Sequence, residues 1–161
     1  MKKVTFFFLL LATWVLLTWR LDPQDVFVGM GLCLMLAAAL GRIYPAQPEH
    51  LLEPRRWLWF TLYIPYFIYA CIKANLDVAY RVLHPHVPIR PGIVKVHTTL
   101  KSDLAKTFLA NSITLTPGTM SVDIDGQDLY IHWINVATDD PQKQTERIVR
   151  PFERMIKEIF E

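Results

Sequence analysis

Three apolar stretches near the start of this chain carry no charged side chain: Val4–Trp19, Val26–Leu40 and Trp57–Ile72. A charge near the bilayer centre costs roughly 2.5–3.5 kcal/mol on insertion scales. Segments this long and this free of charge therefore point to a membrane. The same clearance bears on function. Proton relays and ion paths are built from intramembrane acids and bases, and these segments offer none. The expectation is a membrane-bound protein that moves no ions alone.

Composition narrows the class. The 161 residues leave room for about one domain of ordinary size, shared here between membrane and soluble parts. The 52% hydrophobic content lies just above the ordinary globular range, and the excess falls before Lys73. A net charge of +2, with no basic patch interleaved with aromatics, excludes a nucleic-acid partner. Cys33 and Cys71 both sit in apolar segments, where a thiol behaves as a small hydrophobe. That usage fits a soluble part in a reducing cytoplasm. Lys2-Lys3 before Val4–Leu17 has the form of a signal peptide, but bulky Thr18-Trp19-Arg20 follows where a peptidase needs small residues. A retained span is expected.

Charge sets the topology. Lys2 and Lys3 precede the first span; Arg42, Arg55 and Arg56 follow the second; between them lies Arg20-Leu21-Asp22-Pro23-Gln24-Asp25, with two acids against one base. The positive-inside rule then puts the N-terminus inside, the Asp-Pro turn outside and Arg55-Arg56 inside. About sixteen residues rise roughly 24 Å, a little short of a hydrocarbon core near 30 Å. Trp14, Trp19 and Tyr44 are placed to sit at the interfaces. The Asp22-Pro23 turn predicts a helical hairpin. Gly29, Gly31 and Ala37-Ala38-Ala39 either give its second helix a small-residue docking surface or are simply apolar.

The stretch from Trp57 reads differently. Trp57, Trp59, Tyr63, Tyr66 and Tyr69 crowd it, and Trp and Tyr favour the membrane interface. Pro65 is expected to kink it. Lys73, Asp77 and Arg81 stack on one helical face, and Ile72, Leu76, Ala79 and Leu83 on the opposite one. The favoured reading is a helix lying along or dipping into the cytoplasmic surface, or packed on a partner. A third span is the alternative. His84-Pro85-His86-Val87-Pro88-Ile89-Arg90-Pro91-Gly92 is then a stiff linker, with no second ligand pair to make its histidines a metal site.

Beyond the linker the periodicity changes. Ile93–Thr99 alternates as a strand. Ser102 caps a helix reaching about Ala110, with Asp103 in its first turn and Leu104, Phe108 and Leu109 on its apolar face. Asn111 is read as its left-handed end, followed by extended Ile113–Thr116. Pro117-Gly118 forms a turn. Met120, Val122 and Ile124 alternate with Ser121, Asp123 and Asp125, Asp125-Gly126 turns a hairpin, and Leu129, Ile131 and Trp133 oppose Tyr130, His132 and Ile134. Asp140-Pro141 opens a last helix with an apolar stripe from Ile148 to Ile159, bent by Pro151. The order β-α-β-β-α predicts a ferredoxin-like α+β sandwich. The domains expected are 1–45, a transmembrane hairpin; 46–90, an interfacial or third membrane helix with its linker; and 91–161, the cytoplasmic α+β domain.

Catalytic chemistry is hard to find. Asp123, Asp125 and Asp128 surround Gly126 without the spacing or closing Glu of a calcium loop. Thr116-Pro117-Gly118-Thr119 lacks the Gly-Lys-Ser/Thr of a phosphate loop. His50, His97 and His132 show no ligand spacing, so neither metal nor cofactor is implied.

The run Leu109-Ala110-Asn111-Ser112-Ile113-Thr114-Leu115-Thr116-Pro117-Gly118-Thr119, followed by Leu129-Tyr130-Ile131-His132-Trp133-Ile134, resembles the E subunit of multisubunit Mrp-type Na+/H+ antiporters. So does Ala74-Asn75-Leu76-Asp77-Val78-Ala79 ahead of Arg90-Pro91-Gly92-Ile93. The resemblance covers nearly the whole chain. It implies a small obligate subunit of a multi-pass assembly in the bacterial inner membrane. Ion passage there belongs to large subunits related to the antiporter-like parts of respiratory complex I. Related subunits of membrane-bound hydrogenase-like complexes are the alternative parent. The contact candidates are Asn75, Asp77 and Arg81 at the membrane edge, and Thr114, Thr116, Pro117 and Gly118 in a turn shaped for a partner. The partners expected are the bilayer and the other membrane subunits. A rival reading is a membrane-tethered module whose soluble domain senses a ligand.

Overall fold

The computed structural model describes residues 2–19, 22–40 and 53–161; Arg20, Arg42, Tyr44 and His50 lie outside the described residues. The chain divides into two compact units, Met1–Leu52 and Glu53–Glu161.

The first unit holds α1 (Lys2–Thr18) and α2 (Pro23–Leu40). Pro23 opens α2, where a missing N–H costs nothing, and the Asp22 carboxylate accepts from Gln24 N at 3.1 Å. Gly29, Cys33 and Ala37, four residues apart, are the buried positions of α2. They form a small-residue stripe against α1. A Cβ on Gly29 would lie 2.4 Å from Trp14 Nε1, so only glycine permits this approach. The Trp14 indole donates to the Asp25 carbonyl at 3.1 Å. Gly31 has open space around it, and Ala38 and Ala39 are exposed. Cys33 thus belongs to the packing stripe that Gly31 does not enter. Among the described residues α2 is the one helix long and apolar enough to cross a membrane; the apolar part of α1, Val4–Thr18, is shorter.

The second unit begins with α3 (Pro54–Leu83), a single helix running through Pro65. It continues with β1 (Gly92–His97), α4 (Asp103–Leu115), β2 (Thr119–Asp125), β3 (Asp128–Trp133), α5 (Pro141–Ile148) and α6 (Arg150–Phe160). The three strands form an antiparallel sheet of order β1-β3-β2. Val94, Val96, Leu129 and Ile131 point into a core closed by Leu109, Ile113, Val149, Phe152 and Ile156. Tyr63 joins that core from α3, with Trp59, Phe60, Tyr66 and Phe67 packed against it. Burial of this shared apolar surface is the main force binding α3 to the sheet and its helices.

Three local expectations change. First, α4 does not stop at Ala110. It continues through Asn111 to Leu115, because Ser112 and Ile113 are buried and extend the stripe begun by Ala105 and Leu109. Asn111 faces out, so its turn preference yields to the packing of its neighbours. Second, the alternation in β2 breaks at a bulge between Ser121 and Asp123. One extra residue reverses the side on which later residues lie. Met120 therefore pairs with His132 on the outer face, and Ile124 pairs with Leu129 on the inner one. Third, the last helix is two. Pro151 lacks the N–H that a continuous helix would need, so the chain breaks at buried Val149 and α6 restarts with Pro151 in its first turn.

Candidate docking site

The polar residues singled out at the end of α3 form a clamp internal to the second unit. Arg81 grips Asp77 with two hydrogen bonds, Nε to Oδ2 at 2.8 Å and Nη2 to Oδ1 at 3.0 Å. Its Nη1 donates to the Pro88 carbonyl at 2.8 Å. With the Asn135 amide turned so that its oxygen faces the guanidinium, that oxygen lies 3.0 Å from the same Nη1. The planar fork of arginine suits such a multi-partner grip. It ties α3 to the linker and to the segment after β3. There Val136 N donates to the Arg90 carbonyl at 2.8 Å, and Arg90 pairs with Asp139 at 2.9 Å. Asn75 stands apart. Positions two apart do not share a helical face, and its amide donates to the Cys71 carbonyl of its own helix at 2.8 Å.

The Thr114–Gly118 turn is equally self-contained. Thr114 Oγ1 accepts from Ser121 N at 3.0 Å, and Thr116 Oγ1 donates to the Ser112 carbonyl at 2.8 Å. Thr119 Oγ1 donates to the Ile113 carbonyl at 2.7 Å. Gly118 has φ +89°, a region open to glycine but strained for other residues, and its carbonyl accepts from Ile134 N at 2.8 Å. A Cβ on Gly118 would meet Ile134 Cγ2 at 3.0 Å and Val78 Cγ2 at 3.4 Å. Val78 lies between Asp77 and Arg81, so the fold brings the two sets of candidates together at one corner. Pro117, half-buried, forms part of that corner's surface, and Asn75 does not join it.

Two buried polar contacts were not legible beforehand. Tyr63 donates from its hydroxyl to Ser112 Oγ at 2.7 Å, and Ser112 donates to the Phe108 carbonyl at 2.7 Å. Burial pushes the Tyr63 phenol up to about 12, while the Ser112 hydrogen bond pulls the other way. Glu153 is 3% exposed. Its carboxylate accepts from Thr98 Oγ1 at 2.7 Å, Thr99 N at 2.6 Å and Thr99 Oγ1 at 3.1 Å, and pairs with Arg150 at 2.9 Å. Burial alone would raise its pKa, but these donors outweigh it and hold the carboxyl below its ordinary value. The available sequence signal was an acid beside apolar Phe152 and Ile156 in the α6 stripe.

On the exposed side of the sheet, Asp128 accepts from Lys95 and His97, each at 2.8 Å. Those hydrogen bonds lower the Asp128 carboxyl and raise the Lys95 ammonium. Asp123 turns to its neighbour, Ile124 N, at 2.8 Å. Lys95, His97, Asp128, Glu146 and Arg150 rim a shallow depression between β1 and α5. Among the described residues no three His, Cys, Asp or Glu side chains are grouped to hold a metal. Every buried side-chain nitrogen and oxygen there has a partner.

These features define a class: a membrane-associated protein with a membrane-length helix and a compact α+β unit whose polar side chains serve its own architecture. Residues 7–159 match the family described as Na+/H+ ion antiporter subunit, and the chain belongs to that family. It is 31% identical to Na(+)/H(+) antiporter subunit E1 of Staphylococcus aureus (strain bovine RF122 / ET3-1), over 96% of this chain and 94% of the relative. A chain of the membrane-bound sulfane sulfur reductase, an archaeal respiratory membrane complex, is 45% identical with TM-score 0.82 and covers 99% of both chains. A chain of the Mrp complex from Dietzia sp. DQ12-45-1b is 28% identical with TM-score 0.46, over 68% of this chain and 100% of the other.

Proposed function

We propose that this chain is an accessory subunit of a multisubunit Na+/H+ antiporter, needed for assembly and activity while ion passage belongs to larger membrane subunits. The observation that carries this is the family match along nearly the whole chain, joined to apolar helices with no charged residue between Val4 and Thr18 or between Val26 and Leu40. In this reading α1 and α2 cross the bacterial inner membrane as a hairpin within residues 1–45. Residues 46–90 form the interfacial helix and linker, and residues 91–161 a cytoplasmic domain. The sheet order β1-β3-β2, with α4 crossing between β1 and β2, supports a ferredoxin-like arrangement of that domain. The corner of Asp77, Arg81, Thr114, Thr116, Pro117 and Gly118, with Asn75 nearby on α3, serves as a pre-set surface for a neighbouring subunit. Deleting the chain is expected to abolish antiport in everted membrane vesicles, with activity restored by complementation. The purified chain alone in liposomes is expected to move no sodium; sodium flux from it would overturn the reading.

A second reading is favoured by one observation. The 45% identity to a chain of a respiratory membrane complex, with TM-score 0.82, stands above the 31% identity to the staphylococcal antiporter subunit. The parent assembly is then a respiratory complex that couples a redox module to the same kind of membrane subunits. Affinity purification of the tagged chain separates the two. Redox-active subunits in the eluate indicate the respiratory parent, and membrane subunits alone indicate the antiporter.

A further inference from the structure

We infer that α3 lies in the plane of the membrane and presents its outer face to lipid, as the interfacial foot on which the α+β layer stands. This rests on the reading of the chain as a membrane subunit. At 100° per residue, Leu58, Tyr69, Ile72, Leu76 and Leu83 fall on the side of α3 away from Tyr63, with Leu62 at its edge, and all are exposed, from 47% at Leu62 to 83% at Leu83. All five charged residues of the helix, Arg55, Arg56, Lys73, Asp77 and Arg81, fall within about a quarter-turn of the Tyr63 direction. The charges thus share the half of the helix that the protein covers, although Arg55, Lys73 and Asp77 are themselves exposed there, and the far half is apolar.

The outer face also hides its polar atoms. Thr61 donates to the Trp57 carbonyl at 2.8 Å, and Asn75 to the Cys71 carbonyl at 2.8 Å. Such turning-back is general in this chain, at Thr13 and Thr18 of α1 and equally at exposed Thr107 of α4 and at Thr145 of α5; on α3 its effect is to leave the outer face with few free donors. A protein interface averages about one hydrogen bond per 100–200 Å², and this face offers little beyond the hydroxyls of Tyr69 and Tyr80. Lipid requires no such bonds, and tyrosine is enriched where hydrocarbon meets headgroups.

A spanning orientation is excluded by what is packed on the other side. Arg56 donates to the Ile159 carbonyl at 3.0 Å, the Phe67 and Phe152 rings meet at 6.2 Å, and Val78 lies beside Gly118. From Arg56 to Val78 the helix rises roughly 33 Å, about a full hydrocarbon thickness. Along all of it α3 carries the α+β layer, including exposed Arg154 and Lys157. A crossing helix would drag those charges into hydrocarbon.

The test is spin labelling in the purified complex, reconstituted in nanodiscs of phosphatidylethanolamine and phosphatidylglycerol. Cys33 and Cys71 are replaced by alanine, and single Leu62→Cys, Tyr69→Cys, Leu76→Cys and Leu83→Cys variants are labelled, with Asp123→Cys as an aqueous control. The expected result is oxygen-accessible labels at one common depth of about 5–10 Å at all four sites. Depth that changes steadily from 62 to 83 would mean a crossing helix and overturn the inference. So would labels open to an aqueous nickel chelate, or closed to both oxygen and nickel as under a protein partner. Co-elution of the labelled chain with polytopic subunits tests the subunit reading separately, so the two can fail independently.

Discussion

The two compact units bury opposite kinds of surface. In the first, the residues that α2 buries are all small, Gly29, Cys33 and Ala37, and its bulky ones are exposed, with Phe27 at 75%. In the second, the core is built from large side chains such as Leu109, Leu129, Phe152 and Ile156. The difference follows from the solvent each is suited to. Where lipid is as apolar as leucine, helices gain from close approach and little from hiding bulk. Where water is the alternative, hiding bulk supplies most of the stability. Helix α3 combines both: one face belongs to the aqueous-type core, and the other carries bulky apolar residues outward.

The largest expected effect comes from cutting the second unit's core. Phe152→Ala removes a ring that contacts both Tyr66 and Phe67. It should cost about 3–5 kcal/mol and uncouple α3 from α6. Near-ultraviolet circular dichroism on the full chain should lose its thermal transition, while helical signal from α1 and α2 persists.

Next comes Glu153→Ala, which leaves the buried Thr98 hydroxyl, and the Thr99 donors beside it, without their acceptor and should cost about 1–3 kcal/mol. The pH response has a fixed sign. Because the folded carboxyl sits below its ordinary value, its contribution is present above the unfolded pKa of about 4.3 and is lost as pH falls below it. Melts of wild type and Glu153→Ala should therefore converge at low pH; a gap that stays constant down to pH ~3 would contradict the role given to this carboxylate.

In the first unit, Gly29→Val should drive a side chain into Trp14 and separate α1 from α2, at about 1–3 kcal/mol. Gly31→Val, with open space around it, should change nothing. Crosslinking yields between cysteines placed on α1 and α2 distinguish the pair. Among the destabilising substitutions the smallest effect is Tyr63→Phe, at about 1 kcal/mol, because Ser112 keeps its bond to the Phe108 carbonyl.

The sequence disclosed those features whose causes are local. Ser102 caps α4, accepting from Ala105 N, and Asp140 caps α5, accepting from Gln142 N at 2.9 Å. The Asp125-Gly126 turn joins β2 and β3, with Gly126 at φ +62°. What escaped depends on partners distant in sequence. Asn111 stays helical because Ser112 meets Tyr63, 49 residues away. The bulge in β2 reverses Ile124 toward Leu129 across the hairpin. Of the candidate residues, Asp77 and Arg81 were identified as one face of α3, yet on that face Arg81 is largely covered while Asp77 stays exposed. Periodicity separates two faces but does not say which of them the rest of the chain covers.

The central claim is that this subunit lends architecture and leaves ion chemistry to its companions. The direct measurement is sodium-driven proton flux through the reconstituted complex carrying Asp22→Asn, Asp25→Asn or Lys73→Gln, with assembly checked by size-exclusion chromatography. The account predicts flux equal to wild type in every intact complex; an intact complex that no longer exchanges sodium for protons would contradict it.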